Sequence, residues 1–246
     1  MKYAVYVEGL AEMLFVADVL QKYSGFDAGK VGFRCITLNN DTYSYVSYPI
    51  QGDETSTNYY QVVNVNNDNL VVSKLKKDIP RLVEQGFEVI LGLRDVYGDL
   101  YKSMVKERQV VDRGVIAEMH AAQGEQIKSD KAITRLHLAI MEYEAWMLAL
   151  IENYVVSRGS SIEDIEQQLN VDLHSDIEET VFHPYNLVQK IYRLLDESYH
   201  KHGGDQMSFL STLQRQDYEA LRHSGRCASF GKFLDSLLDN VETELP

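Results

Sequence analysis

Apolar and polar positions alternate between two periods along this chain, and the switches mark its elements. Tyr3 to Val7 is a short apolar run of strand formers. Gly9 then permits a turn, and Ala11 to Lys22 sets Leu14, Phe15, Val19 and Leu20 on one helical stripe. Val31 to Leu38 alternates and reads as a second strand. Leu70 to Gln85 returns to helical spacing, with Pro80 as an expected kink or break and Gly86 as a C-terminal stop. Phe87 to Leu93 is uninterruptedly apolar, as a strand covered on both faces should be. Lys102 to Arg108 and Asp112 to Gln123 read as helices, and Ala132 to Ile140 as a strand. A helix is expected from Glu144 to Asn153. Beyond the Gly/Ser break near Ser157 to Ser161 the pattern is helical throughout: 161–169, 186–199, 217–223 and 229–241.

The segment 39–69 resists this reading. It is rich in Tyr, Asn, Ser and Thr and is assigned to a loop or a strand insertion. Its Tyr43, Tyr45, Tyr48, Tyr59 and Tyr60 fit hairpin surface and edge packing better than stacking on nucleic-acid bases, since tyrosine is a common strand residue. Strand and helix alternation followed by helices alone predicts an α/β fold. A mostly parallel sheet flanked by helices should occupy 1–156, and a C-terminal α-helical lobe, 157–246, should pack on it.

Composition narrows the class. Lys plus Arg number 24 against 37 Asp plus Glu, a net charge of −13, which opposes non-specific coating of nucleic acid but suits acids gathered around cations. The two cysteines, Cys35 and Cys227, lie far apart without metal-ligand spacing and are expected to be reduced. No apolar run is long enough for a membrane span and no basic-then-apolar leader opens the chain, so a soluble, cytoplasmic protein is expected.

Three expected strands end in carboxylates: Glu8, with Glu12 one turn into the helix; Asp95, with Asp99; and Glu142, with Glu144. In a parallel sheet these would share the carboxyl edge, where such folds build their sites. Each cluster alone is an ordinary set of helix caps and first-turn acids. Three in register favour a site for Mg²⁺ or Mn²⁺, because oxygen ligands without His or Cys suit hard cations. The expected roles are general acid/base for Glu8, metal ligands for Asp95, Asp99, Glu142 and Glu12, and a supporting role for Glu144 behind Glu142. Lys102, Lys106, Arg108 and Arg113, just after the aspartate loop, are the candidate phosphate contacts. The basic run Lys74, Lys76, Lys77 and Arg81 reads as a solvated helix face, and His200-Lys201-His202 with Asp205 as a solvated loop. No phosphate-binding Gly-x₄-Gly-Lys-[Ser/Thr] loop and no Gly-x-Ser-x-Gly elbow is present.

Val7-Glu8-Gly9-x₂-Glu12 followed by Phe15-Val16, the apolar strand ending in Asp95, and Glu142-Tyr143-Glu144-Ala145-Trp146 resemble the Toprim fold. More narrowly they resemble a bacterial Toprim-like family, domain of unknown function 4276, with Arg226-Cys227-Ala228-Ser229-Phe230 and Phe233-Leu234 matching its C-terminal segment. The resemblance implies a Mg²⁺-dependent nuclease with Glu8 as the turn glutamate and Asp95 as the first aspartate of an Asp-x-Asp pair, placed in phage or mobile-element defence with an ATPase partner. The chain departs from that pattern at Tyr97, where the second aspartate would stand. The alternative is a non-catalytic Toprim-like module that docks on an ATPase.

Overall fold

The computed structural model describes residues 1–39, 42–67, 70–105, 109–239 and 241, with backbone only at 47 and 48. Its centre is a six-stranded sheet in the order β3-β2-β4-β1-β5-β6. The strands are β1 (Lys2–Val7), β2 (Val31–Asn39), β3 (Thr42–Gln51), β4 (Asn58–Asn64), β5 (Val89–Asp95) and β6 (Ile133–Ala139). All neighbours run parallel except β3, which returns antiparallel along β2. The α/β expectation holds, and the mostly parallel sheet with it.

The Tyr/Asn-rich segment 39–69 is where the sequence reading falls short. It is no surface insertion: β4 lies between β2 and β1, in the middle of the sheet. Tyr59 and Tyr60 are buried, Tyr60 stacking on Tyr3 at 4.3 Å between ring centroids and donating to the Leu237 carbonyl. Asn-Tyr-Tyr-Gln-Val-Val-Asn contains no charge and is rich in strand formers. Flanking Asn and Ser residues hid it. Tyr43 and Tyr45 do lie exposed on the edge strand β3.

Two helical layers cover the sheet. On one face lie α2 (Val71–Glu84) and α4 (Arg113–Gln126), packed on Ala4, Tyr6, Ile90, Leu136 and Leu138. Pro80 sits inside an unbroken α2. The carbonyl it deprives of a partner belongs to exposed Lys76, where water can serve instead. The other face carries α1 (Leu10–Tyr23). The short α3 (Asp99–Met104) precedes α4. The helix expected from Glu144 onward is two, α5 (Glu144–Ala149) and α6 (Glu152–Ser157).

The C-terminal helices are α7 (Ile162–Leu169), α8 (Ile177–Thr180), α9 (Pro184–Leu194), α10 (Gly203–Leu210), α11 (Arg215–Ser224) and α12 (Ala228–Leu238). They share one apolar cluster with β1, α1 and α5, centred on Phe15, Trp146, Tyr218, Phe230 and Phe233. The α12 helix lies against β6 and β5 beside α1 and completes that layer. Both cysteines are buried and free, and burial pushes the Cys35 thiol up to about 12.

Candidate active site

The loops leaving β1 and β5 turn to opposite faces of the sheet, because α1 lies on one side and α4 on the other. Neighbouring parallel strands whose connections part in this way leave a crevice at their carboxyl ends. A pocket of about 280 Å³ opens there, lined by Glu8, Glu12, Asp95, Tyr97, Glu142 and Lys201 together with Gly9, Leu10, Ala11, Asn66 and Asn67. Segments separated by more than a hundred residues in sequence therefore bring their acids to one place.

Each acid is held by a specific device. Glu8 follows the last residue of β1, and its Oε1 lies 3.6 Å from Nε of buried Arg94. Arg94 Nε also donates to the Asp95 carbonyl at 3.1 Å. Gly9 caps α1 in extended conformation, and the Glu12 carboxylate folds back over it to accept from the Gly9 and Glu12 amides, the return half of a capping box. A Cβ on Gly9 would stand 2.9 Å from Glu12 Oε2, so only glycine leaves the carboxylate this seat. Asp95 Oδ1 accepts from the Tyr143 amide at 2.7 Å, at the entry to α5. Glu142 Oε2 accepts from the Tyr185 amide at 2.8 Å, in the first turn of α9. Met141, whose φ is +62°, turns the chain between β6 and Glu142, a left-handed conformation that costs a bulky residue on the order of 1–3 kcal/mol.

Glu144 lies just behind, fully buried, taking a hydrogen bond from Tyr199 Oη at 3.0 Å and an ion pair from Lys201 Nζ at 2.9 Å. Lys201 comes from the C-terminal helices, just ahead of α10. Gly203, at the start of α10, approaches Leu10 so closely that a Cβ would meet its Cδ2 at 3.3 Å, and this contact carries Lys201 over the first turn of α1. Lys201 itself has a φ of +58°.

The electrostatics follow from the crowding. Burial, then the charge of Glu8, hold the Asp95 carboxyl well above its ordinary range, against the pull of Lys201. Burial raises Glu12 and Glu142 too, with Glu144 adding to both and Lys201 opposing. Burial alone would lower the Lys201 ammonium, but Glu144, Asp95 and Glu12 outweigh it and raise it. Five carboxylates (Glu8, Glu12, Asp95, Glu142 and Glu144) face two cations, Arg94 and Lys201. An oxygen-only, acid-rich donor set fits a hard divalent cation by its chemistry. Among the described residues, however, no three His, Cys, Asp or Glu side chains already stand as a ligand group for a metal ion. The hydrogen bonds explain this: Glu12, Asp95 and Glu142 each serve a helix start, and an ammonium already lies among them.

Several expected roles need correction. Asp99 does not line the pocket. It is exposed in the first turn of α3, where it complements the helix dipole. Arg113 is an inter-element tie, pairing with Glu179 and lying 3.8 Å from buried Glu178, and is not a free phosphate contact. Lys102 is exposed with its ammonium 4.3 Å from the Tyr97 ring centroid, near enough to Glu142 to lower its pKa. Lys106 and Arg108 lie outside the described residues. Arg222 and Arg226 bind Asp235 and the carbonyls of Leu173 and Ser175 among the C-terminal helices.

Two residues escaped the sequence reading. Lys201 looked like part of a solvated His-Lys-His loop, and only Gly203-Gly204 after it hinted at close approach. Arg94 hid inside an apolar strand, where a lone buried cation should have demanded a carboxylate partner. Tyr97, which replaces the expected second aspartate, packs edge-on against Phe182 and His183 and so anchors the approach to α9. Comparison with known protein families, curated proteins and solved structures finds no match. No described helix is long and apolar enough to cross a membrane.

Proposed function

We propose that this chain is a Toprim-like nuclease that hydrolyses phosphodiester bonds with Mg²⁺ or Mn²⁺. The observation that carries the reading is the convergence of Glu8, Glu12, Asp95 and Glu142 on one pocket at the carboxyl ends of β1, β5 and β6. Asp95 is the residue to hold the ion, with Glu142 beside it and Glu8 next to it on the adjacent strand. A divalent cation bound there would polarise a phosphate oxygen and activate water. The chain's own groups do the rest. Glu8, beside the ion, serves as proton acceptor or donor. Lys201 presents a cation to a phosphate entering the pocket. Lys102, beside Tyr97 at the rim, extends the cationic approach.

The test is cleavage of single- and double-stranded DNA and of structured RNA with Mg²⁺ or Mn²⁺. Glu8→Gln and Asp95→Asn should each lower the rate by more than about 10²-fold with the fold retained. Equal cleavage by wild type and both variants would end the reading.

A second reading has its own observation. Lys201 already neutralises part of the pocket, and no ready ligand group is present among the described residues. This favours a Toprim-like module that docks on an ATPase without catalysis. Mn²⁺ titration followed by paramagnetic resonance separates the two. A saturable site lost in Asp95→Asn supports the nuclease, and its absence in both wild type and Lys201→Ala supports the module.

A further inference from the structure

A cavity of about 640 Å³ lies away from the acids, along the outer edge of β6. Its floor is strand backbone. Ile133 N–H donates to Glu88 and the Ala139 carbonyl accepts from Val96, so odd-numbered residues of β6 direct their backbone to β5. By strand alternation Thr134, Leu136 and Leu138 direct theirs outward. His120 Nε2, from α4, meets the outward Leu136 carbonyl at 2.8 Å. Among the described residues no strand pairs with this edge.

The walls leave room for a chain. On α4, Ala117, Ala121 and Gly124 form a small-residue stripe facing the cavity, and a Cβ on Gly124 would meet nothing within 4 Å. On the opposite side stand Ala228, Ser229 and Lys232 of α12. Exposed sheet edges are usually blunted by covering elements or by charge. Here two helices flank the edge without closing it, and 640 Å³ holds an extended segment of a few residues at about 3.3 Å each.

The charge of the lining selects the occupant. Arg113, Lys128, Arg135 and Lys232 face Glu125 and Glu178 in a chain whose net charge is −13. Arg113 and Lys128 pair with Glu179 and Glu125, whereas Arg135, which donates to Ser236 Oγ at 3.1 Å, and Lys232 make no ion pair among the described residues. A basic lining, outward amides and carbonyls, and apolar side walls match an acidic polypeptide strand better than a nucleic acid, whose backbone offers no regular row of paired donors and acceptors to the outward groups of Thr134 and Leu138.

We propose that the outer edge of β6 binds an extended acidic segment of a partner protein, which joins the sheet as a further strand between α4 and α12. Arg135 and Lys232 select its acidic side chains, and the Thr134 and Leu138 backbones hold its main chain.

The experiment uses the full chain and a fluorescein-labelled peptide of about eight residues alternating Glu and Val, with a Lys/Val peptide and a single-stranded oligonucleotide as comparators. The Glu/Val peptide should bind with a Kd of roughly 10–100 µM and slow amide exchange at Leu138 on binding. Ala121→Trp, which fills the groove from an exposed helix position, should weaken binding more than about tenfold, as should R135E with K232E. Absence of peptide binding at millimolar concentration, equal binding of the Lys/Val peptide, preference for the oligonucleotide, or unchanged affinity in Ala121→Trp would overturn the proposal. So would self-association that buries the β6 edge between two copies of this chain and excludes the peptide.

Discussion

Asp95 carries the plainest conflict between stability and chemistry. Its carboxyl is raised by burial first and by Glu8 second. A carboxylate raised in the folded state contributes stability that is full below its unfolded value and is lost as pH rises through the folded one. At neutral pH it is therefore a liability, and Asp95→Asn keeps the acceptor for the Tyr143 amide while removing the charge. The variant should melt about 2–4 °C higher, near 1 kcal/mol, while losing whatever activity the pocket has. Calorimetry at pH 7 and at pH 4 checks the sign, since the gain should shrink in acid. Lys201 is the converse case. Removing it as Lys201→Met leaves Glu144, fully buried, without its ion-pair partner. With the Lys201 side chain 39% exposed, the cost should fall between that of surface and buried pairs, roughly 1–3 kcal/mol, and Glu144→Gln in the same chain should recover much of it. His137 gives a third test. Burial first, then the charges of His120, Arg135 and Lys232, lower its imidazole to about 3. The unfolded chain binds that proton near pH 6.5. The contribution is thus present above about 6.5 and lost as pH falls toward 3. A His137→Phe variant, which keeps the edge-on contact with Phe233, should show a flatter acid limb in its melting temperature.

At the scale of elements, the site depends on helix starts. Glu12 caps α1, Asp95 holds the entry to α5, and Glu142 holds the first turn of α9. Three of the acids that line the pocket thus also serve helix starts, and for Asp95 and Glu142 those helices are not the ones that directly follow their strands. Gly9→Ala tests the coupling. Its methyl would displace the Glu12 carboxylate from its cap, since the contact is with the flexible end of a side chain. Stability should fall by about 1 kcal/mol, measured by urea denaturation, with the strands unchanged. The sequence showed β1, α1, β5 and the acids plainly, because unbroken apolar runs and helical stripes are local signals. It did not show β4. A central strand with Tyr and Asn in place of a Val/Ile run looks like a loop until its neighbours in the sheet are known. Nor did it show that the helix expected from Glu144 stops at Leu150 and restarts as α6.

Across the whole molecule, the helices after Ser157 complete the sheet's second layer. Phe230, Phe233 and Leu237 of α12 pack into the cluster built by α1 and β5. A chain truncated after residue 156 should expose that face, bind hydrophobic dyes and lose cooperative unfolding in urea. Independent two-state unfolding of the truncated chain would show that the layer is dispensable.

Local chemistry in the sequence was enough to establish the alternating strands and helices, the absence of nucleotide-loop and serine-elbow motifs, and acids at the ends of three strands. Periodicity, turn glycines and residue type need no knowledge of distant neighbours. Packing alone decided that Asp99 turns outward while Lys201, from the far end of the chain, enters the pocket, that Arg94 faces Glu8, and that Arg113 serves as a strut. Each of these outcomes depends on which buried charge finds a partner within a few ångströms. That is a property of three-dimensional neighbours, which a linear order of residues does not contain.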